Sequence, residues 1–244
     1  MLCHRVQCLA AVALSVWLGG QMAAFGEKPD SFVFMPSRGE GPFPVAVWLH
    51  GYRGYSSDGY ARNLSKEVYQ KHADDLGAAI VGFPGTCDLG DGTQQWSEEP
   101  IADQAYIQWR LRILAQQHDL DLNNVALFGF SQGAVVAGDL VTIFPKQYSG
   151  ALLLSPGCIS EPRGAAEPSD DHKKLVVVSS CGAMEHPGTV ELTKAYDGYL
   201  RKLGADCTLK LYPGVEKHDR PPDFADQFPK WMEKILADKE PATP

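Results

Sequence analysis

Short apolar runs alternate with longer segments of helical period along almost the whole chain. No other feature restricts the fold as much. The runs cover residues 32–35, 44–49, 78–83, 125–130, 150–154, 174–179 and 208–212. Between them, the spacing of apolar residues predicts helices over 60–76, 100–118, 132–144, 189–203 and 224–237. The runs are apolar throughout, as in Val45-Ala46-Val47-Trp48-Leu49, and do not alternate with polar residues. Strands of that kind are buried on both faces, and helices between them cover a parallel sheet. Gly77 and Gly204 fit helix C-caps, and Pro145 closes a third helix. There is no long linker and no internal repeat, so a single α/β domain is expected. Residues 86–100 form the one long irregular stretch of functional composition. It follows a strand, so it belongs over the carboxyl edge of the sheet, where ligands bind.

The strongest chemical signal sits between one of these strands and its helix. Gly129-Phe130-Ser131-Gln132-Gly133 follows an apolar strand and opens an apolar helix. A sharp strand-to-helix turn lifts a serine oxygen clear of the sheet, and glycines on either side permit the close backbone approach. The helix behind it directs its positive end toward developing negative charge. Ser131 is therefore the candidate nucleophile.

A serine hydroxyl needs a base, and the base needs an orienting acid. In this architecture the chain order is Ser, acid, His. His172, His186 and His218 follow Ser131. His218 lies after the strand ending Leu-Tyr-Pro-Gly and before the last helix, so it is the candidate base. His186 is the fallback, and His172 reads as a solvated loop residue. Glu185 is the one carboxylate in the loop after the 174–179 run, and it is the candidate acid. Glu191 and Asp197 on the following helix are alternatives. Two backbone amides should receive the oxyanion. One is that of Gln132, next to the nucleophile. The other should come from His50-Gly51-Tyr52-Arg53-Gly54, with Tyr52 preferred and Arg53 second. His50 reads as a hydrogen-bonded support beside the substrate rather than as a catalyst. Trp96 reads either as a pocket wall for an acyl or aromatic group or as a packing residue. Trp109 and Trp231 fall on helix faces suited to the core.

These stretches, in this order, resemble the α/β-hydrolase superfamily. Within it the chain is similar to the small serine-esterase branch, which includes dienelactone hydrolases, phospholipase/carboxylesterases and feruloyl-esterase or polyhydroxybutyrate-depolymerase-like proteins. The resemblance rests on His50-Gly51, the 129–133 turn, Cys181-Gly182-Ala183-Met184-Glu185 and Tyr212-Pro213-Gly214 with His218. It implies a mostly parallel central sheet with helices on both faces, and hydrolysis of carboxylic esters through an acyl-enzyme, with no cofactor and no metal. The family commonly has Asp where Glu185 stands, and dienelactone hydrolases carry Cys where Ser131 stands. A small-molecule ester is the implied partner. Two rival readings use the same scaffold. A prolyl-oligopeptidase-like peptidase usually adds a large accessory domain, for which this length leaves no room. A non-catalytic binding protein usually lacks one of the three site residues, and all three are present.

Composition limits the partners. With 22 Lys+Arg against 30 Asp+Glu, the net charge is −8. Nucleic acids and anionic membrane surfaces attract clustered basic residues, so neither is an expected partner. Residues 1–26 combine a short basic start with an apolar run of about ten residues and small residues near Ala24-Phe25-Gly26. That is the pattern of a cleaved secretory leader, too short to span a membrane. Residues 27–244 are then the exported domain, periplasmic or secreted. Two of the six cysteines belong to the leader. Cys158 and Cys181 follow neighbouring expected strands, and a bridge between them would brace the loop that carries the acid.

Overall fold

A computed structural model describes residues 31–56, 66–97, 99–157, 159 and 161–237. Strands β1 (Phe32–Phe34), β2 (Phe43–Leu49) and a short β3 (Tyr55–Ser56) come first. Helix α1 (Lys66–Leu76) leads to β4 (Ala79–Gly82). Short strands β5 (Cys87–Asp88) and β6 (Thr93–Gln95) precede helix α2 (Pro100–Ala115). Then come β7 (Leu120–Phe130), α3 (Gln132–Ile143), β8 (Gly150–Leu154), β9 (Val176–Gly182), α4 (Pro187–Leu203), β10 (Asp206–Tyr212) and α5 (Phe224–Leu236). The expected leader over 1–26 and the first residues of the helix expected from 60 lie outside the described residues.

Seven strands form one sheet in the order β1-β4-β2-β7-β8-β9-β10. Only the edge strand β1 is antiparallel, and the other six run parallel. This is the mostly parallel sheet that the alternating pattern predicted and that the resemblance implied. Side chains leave a strand on alternate faces, and both faces are covered. Val45, Val47 and Leu49 of β2 join Leu127, Leu153 and Val177 in a core closed by Ile107 and Leu111 of α2, Leu140 of α3 and Tyr196 of α4. Ala46, Ala126, Phe128, Leu152 and Val178 face the other way, under Tyr69 of α1 and Phe228, Met232 and Ile235 of α5. Each such fully buried Leu, Ile or Phe contributes roughly 1.5–3 kcal/mol relative to exposure.

The register brings the site together. Leu49 stands opposite Gly129, Phe130 opposite Leu154, Leu154 opposite Ser180, and Tyr212 opposite Gly182. The carboxyl ends of β2, β7, β8, β9 and β10 therefore share one edge of the sheet. Among the described residues no helix is long and apolar enough to cross a membrane.

Several local expectations change. The stretch after Thr86 is not simply irregular, because β5 and β6 pair antiparallel and β6 pairs with β3 as a second small sheet. Strand β9 begins later than expected and runs on to Gly182, because a turn of 3-10 helix occupies His172–Lys174. His172 is no solvated loop residue. It is 2% exposed, with Nε2 2.9 Å from the Thr142 carbonyl and Nδ1 2.8 Å from Ser169 Oγ. Trp231 packs in the core, but Trp109 is 45% exposed, with the Arg110 guanidinium over its ring.

Candidate active site

Ser131 follows β7 directly and is the N-cap residue of α3, at φ 56°, ψ −118°. A non-glycine residue rarely adopts positive φ, and such strain persists only where the surroundings enforce it. Here the Ser131 N–H donates to the Leu154 carbonyl at 3.0 Å, and the Ser131 carbonyl accepts from Ala134. The glycines of the motif are required by contact rather than by torsion. A Cβ on Gly133 would lie 2.0 Å from the Leu49 carbonyl oxygen, and one on Gly129 would lie 2.3 Å from the Gly133 carbonyl carbon.

The His218 Nδ1 lies 2.9 Å from Glu185 Oε2. The carboxylate is completely buried while the imidazole side chain is 43% exposed. Glu185 Oε1 accepts two further hydrogen bonds, from Gly182 N–H at 2.8 Å and Ser155 Oγ at 2.7 Å. Such donors offset the cost of taking a carboxylate out of water. The loops bearing acid and base are knitted together. Ala183 N–H donates to Tyr212, and Met184 N–H donates to Val215. Phe130 packs against the His218 ring with centroids 4.8 Å apart.

Ser131 and His218 both lie beside Gly157. A Cβ there would be 3.6 Å from Ser131 Oγ and 3.7 Å from His218 Cε1. Among the described residues no hydrogen bond joins Ser131 to His218. Such contacts commonly tighten only when substrate binds.

The loop after β2 passes beside the nucleophile, since a Cβ on Gly51 would lie 3.3 Å from Ser131 Cβ. The Gly51 carbonyl accepts from Gly54 N–H at 2.9 Å and lies 2.7 Å from His50 Nδ1. In a trans peptide the N–H points opposite its carbonyl. The Tyr52 N–H is thereby turned away from those partners. Gln132 is the first residue of α3, so its N–H has no acceptor within the helix. Burial pushes the His50 pKa down to about 4, so this imidazole is neutral and donates from Nδ1.

The structure brings Ser131, His218, Glu185, Gln132 and Tyr52 to one edge of the sheet. It does not put Trp96 or His50 on the substrate side, because both are 0% exposed. Trp96 donates its indole N–H to the His50 carbonyl at 2.9 Å, and His50 braces its own loop. His186 is an exposed N-cap whose ring accepts from Gly188 N–H. Arg53 sits at φ 55° and pairs with Asp91 at 3.0 Å. Cys181 is a free buried thiol; Cys158, its expected partner, lies outside the described residues. Two residues escaped the sequence reading, Ser155 and Gly157. Their one signal was position, directly after β8 at the edge that carries Ser131. Among the described residues no group of three or more His, Cys, Asp or Glu is arranged to hold a metal ion.

Comparison with known proteins adds to this geometry. A family model described as phospholipase/carboxylesterase matches residues 101–235, a range that includes Ser131, Glu185 and His218. Esterase FrsA of Klebsiella pneumoniae is 24% identical over 208 residues, 80% of this chain and 46% of that protein. The chain thus spans about half the length of that relative. Among solved structures, a Bacillus cereus carboxylesterase is 18% identical, with a TM-score of 0.65 over 84% of this chain and 93% of that one. An S-formylglutathione hydrolase from Agrobacterium tumefaciens is 18% identical, with a TM-score of 0.58 over 85% of this chain and 90% of that one. At such identities the structural likenesses establish the fold.

Proposed function

Because the chain belongs to the phospholipase/carboxylesterase family, we propose that it hydrolyses carboxylic esters through an acyl-enzyme on Ser131. The observation that carries this reading is the buried Glu185 carboxylate 2.9 Å from His218 Nδ1, at the sheet edge where Ser131 is held at positive φ. Glu185 keeps the Nδ1–H tautomer, which leaves Nε2 free to accept a proton. Ser131 Oγ attacks the ester carbonyl as His218 takes its proton. The oxyanion is held by the Gln132 and Tyr52 amides, each contributing about 2.7–4 kcal/mol of transition-state stabilisation. Collapse breaks the carbonyl–oxygen bond, and the leaving alcohol takes the proton from His218. A water, deprotonated by His218, then attacks the acyl carbonyl, and collapse breaks its bond to Ser131 Oγ, which takes the proton back from His218 as the acid leaves.

Tyr52 and Met184 are 51% and 57% exposed on the two loops that adjoin the site. Their apolar surfaces support short acyl or aromatic esters as substrates. Residues 1–26 are read as a leader that directs export; N-terminal sequencing of the protein purified from its host tests that reading.

Labelling with a fluorophosphonate probe, followed by turnover of p-nitrophenyl acetate, feruloyl esters and a peptide panel, tests the activity. The wild-type protein should label and cleave esters, while Ser131→Ala should do neither. Ester turnover that survives in Ser131→Ala overturns the proposal.

A further inference from the structure

The two amides assigned to the oxyanion come from different strands. Tyr52 follows β2 and Gln132 follows β7. The strands pair as far as Leu49 and Gly129, and beyond that point the ladder no longer fixes their spacing. A difference of about an ångström at such a site is enough to cost activity.

One buried residue bonds to both sides of that gap. Trp96 donates its indole N–H to the carbonyl of His50, two residues before Tyr52, at 2.9 Å. Its backbone pairs in both directions with the Gln132 carboxamide. Trp96 N–H donates to Oε1 at 3.2 Å, and Nε2 donates to the Trp96 carbonyl at 3.4 Å. The Trp96 and His50 rings lie 5.2 Å apart. Trp96 is itself pinned from behind. A Cβ on Gly85 would be 2.9 Å from Trp96 N, so only glycine lets that backbone come so close. Ser97 N–H donates to Thr86 Oγ1 and Asp103 Oδ1 at 2.9 and 3.1 Å.

On the esterase reading above, we propose that Trp96 and the side chain of Gln132 form a clamp that sets the spacing of the two oxyanion donors. Trp96 is a positioning residue, since it is wholly buried and touches no substrate. The chemistry asks for tryptophan here. Its body fills an apolar space, and its one N–H reaches a carbonyl on another loop. Phenylalanine fills much of that space but lacks the donor. Gln132 offers an acceptor and a donor on one planar group, which is what a backbone N–H and C=O pair requires.

The test uses Trp96→Phe, Gln132→Met and the double variant, with Ser131→Ala alongside. Readouts are kcat and KM for p-nitrophenyl acetate, the inhibition constant of a phenylboronic acid, and the thermal midpoint. The clamp predicts that kcat falls about 10- to 50-fold in each single variant, in line with loss of oxyanion stabilisation, while KM stays within about twofold. Boronate affinity should fall in proportion to kcat/KM, because a tetrahedral boronate needs both donors in place. The double variant should lose little more than either single one, since both changes open the same clamp. If Trp96→Phe does not fold, Gln132→Met decides, because it keeps the backbone amide and lies at the edge of the clamp. A kcat within twofold of wild type overturns the proposal. So does a loss of kcat with boronate affinity unchanged. Activity that persists in Ser131→Ala would instead overturn the esterase mechanism itself, so the two failures are distinguishable.

Discussion

Ser155 Oγ donates a 2.7 Å hydrogen bond to Glu185 Oε1, so a residue at the end of β8 orients the carboxylate that meets His218. Ser155 is fully buried at φ 45°, and its N–H is held by the Ser180 carbonyl at 2.7 Å. Hydrogen bonds to a charged group contribute about 1.5–3 kcal/mol. Ser155→Ala should therefore lower kcat about tenfold or more, leave KM nearly unchanged and reduce stability by about 1–2 kcal/mol. Steady-state kinetics and urea unfolding check both. An unaltered kcat would mean that Gly182 and the surrounding packing orient the acid unaided.

Glu185→Gln asks for a larger effect. The Gln carbonyl oxygen would take the hydrogen bonds from Ser155 and Gly182, which turns its NH2 toward His218 Nδ1. That donor selects the Nε2–H tautomer, which cannot accept the serine proton. A drop in kcat of about 10⁴ is expected, with little change in folding. The other carboxylates considered for this role are engaged elsewhere. Glu191 pairs with Lys194 at 2.9 Å, and Asp197 pairs with Arg201 at 2.9 Å. Glu191→Gln and Asp197→Asn should keep kcat within about twofold, and a collapse of activity in either would reassign the acid.

What the sequence shows plainly is what one element carries alone. The continuous apolar runs gave the parallel sheet, Gly77 and Gly204 gave helix ends at φ 58° and 107°, and the 129–133 turn marked Ser131, which the structure holds at positive φ between β7 and α3. The meeting of Glu185 and His218 was legible because strand order puts their loops at one edge. The missed features arise between loops. Trp96 meets Gln132 across 36 residues and His50 across 46, so its burial is set by partners that no local pattern records. His172 looked solvated because its neighbours are charged, yet the Thr142 carbonyl draws it inside. The role of Ser155 follows from the register of β8 against β9, which composition does not encode.

Two glycines should respond in opposite ways to alanine. At Gly133 a Cβ would strike the backbone of Leu49 at 2.0 Å and of His50 at 2.6 Å, and neither can swing aside. Gly133→Ala should cost more than about 4 kcal/mol or prevent folding. Gly198 lies inside α4 with no heavy atom within 4 Å of the added Cβ. Gly198→Ala should stabilise by about 0.5–1 kcal/mol through helix propensity. A thermal midpoint raised by a few degrees is the expected reading, and a lowered midpoint would refute it.

Buried Asp103 and His50 should titrate against one another in the folding equilibrium. Burial pushes the Asp103 pKa up to about 6, against partial relief from Thr86, Ser97 and the charge of Arg163. The folded state then holds this proton more tightly than the unfolded chain does. Its contribution to stability is full below about pH 4 and is lost as pH rises through 6. His50 behaves in the opposite sense. Its pKa falls from 6.5 to about 4, so the unfolded chain binds the proton first and stability drops as pH falls from 6.5 toward 4. Each shift amounts to about 3 kcal/mol at most. The two windows overlap, so the wild-type protein should show a shallow dependence there. Asp103→Asn keeps an acceptor for Thr86 and Ser97 and removes one of the opposing terms. At pH 7.5 the variant should be more stable than wild type by about 2–3 kcal/mol, an advantage that vanishes by pH 4. Urea unfolding of both proteins at pH 4, 5, 6 and 7.5 measures this directly. A stability difference that stays constant across that range would show that Asp103 is not the titrating group.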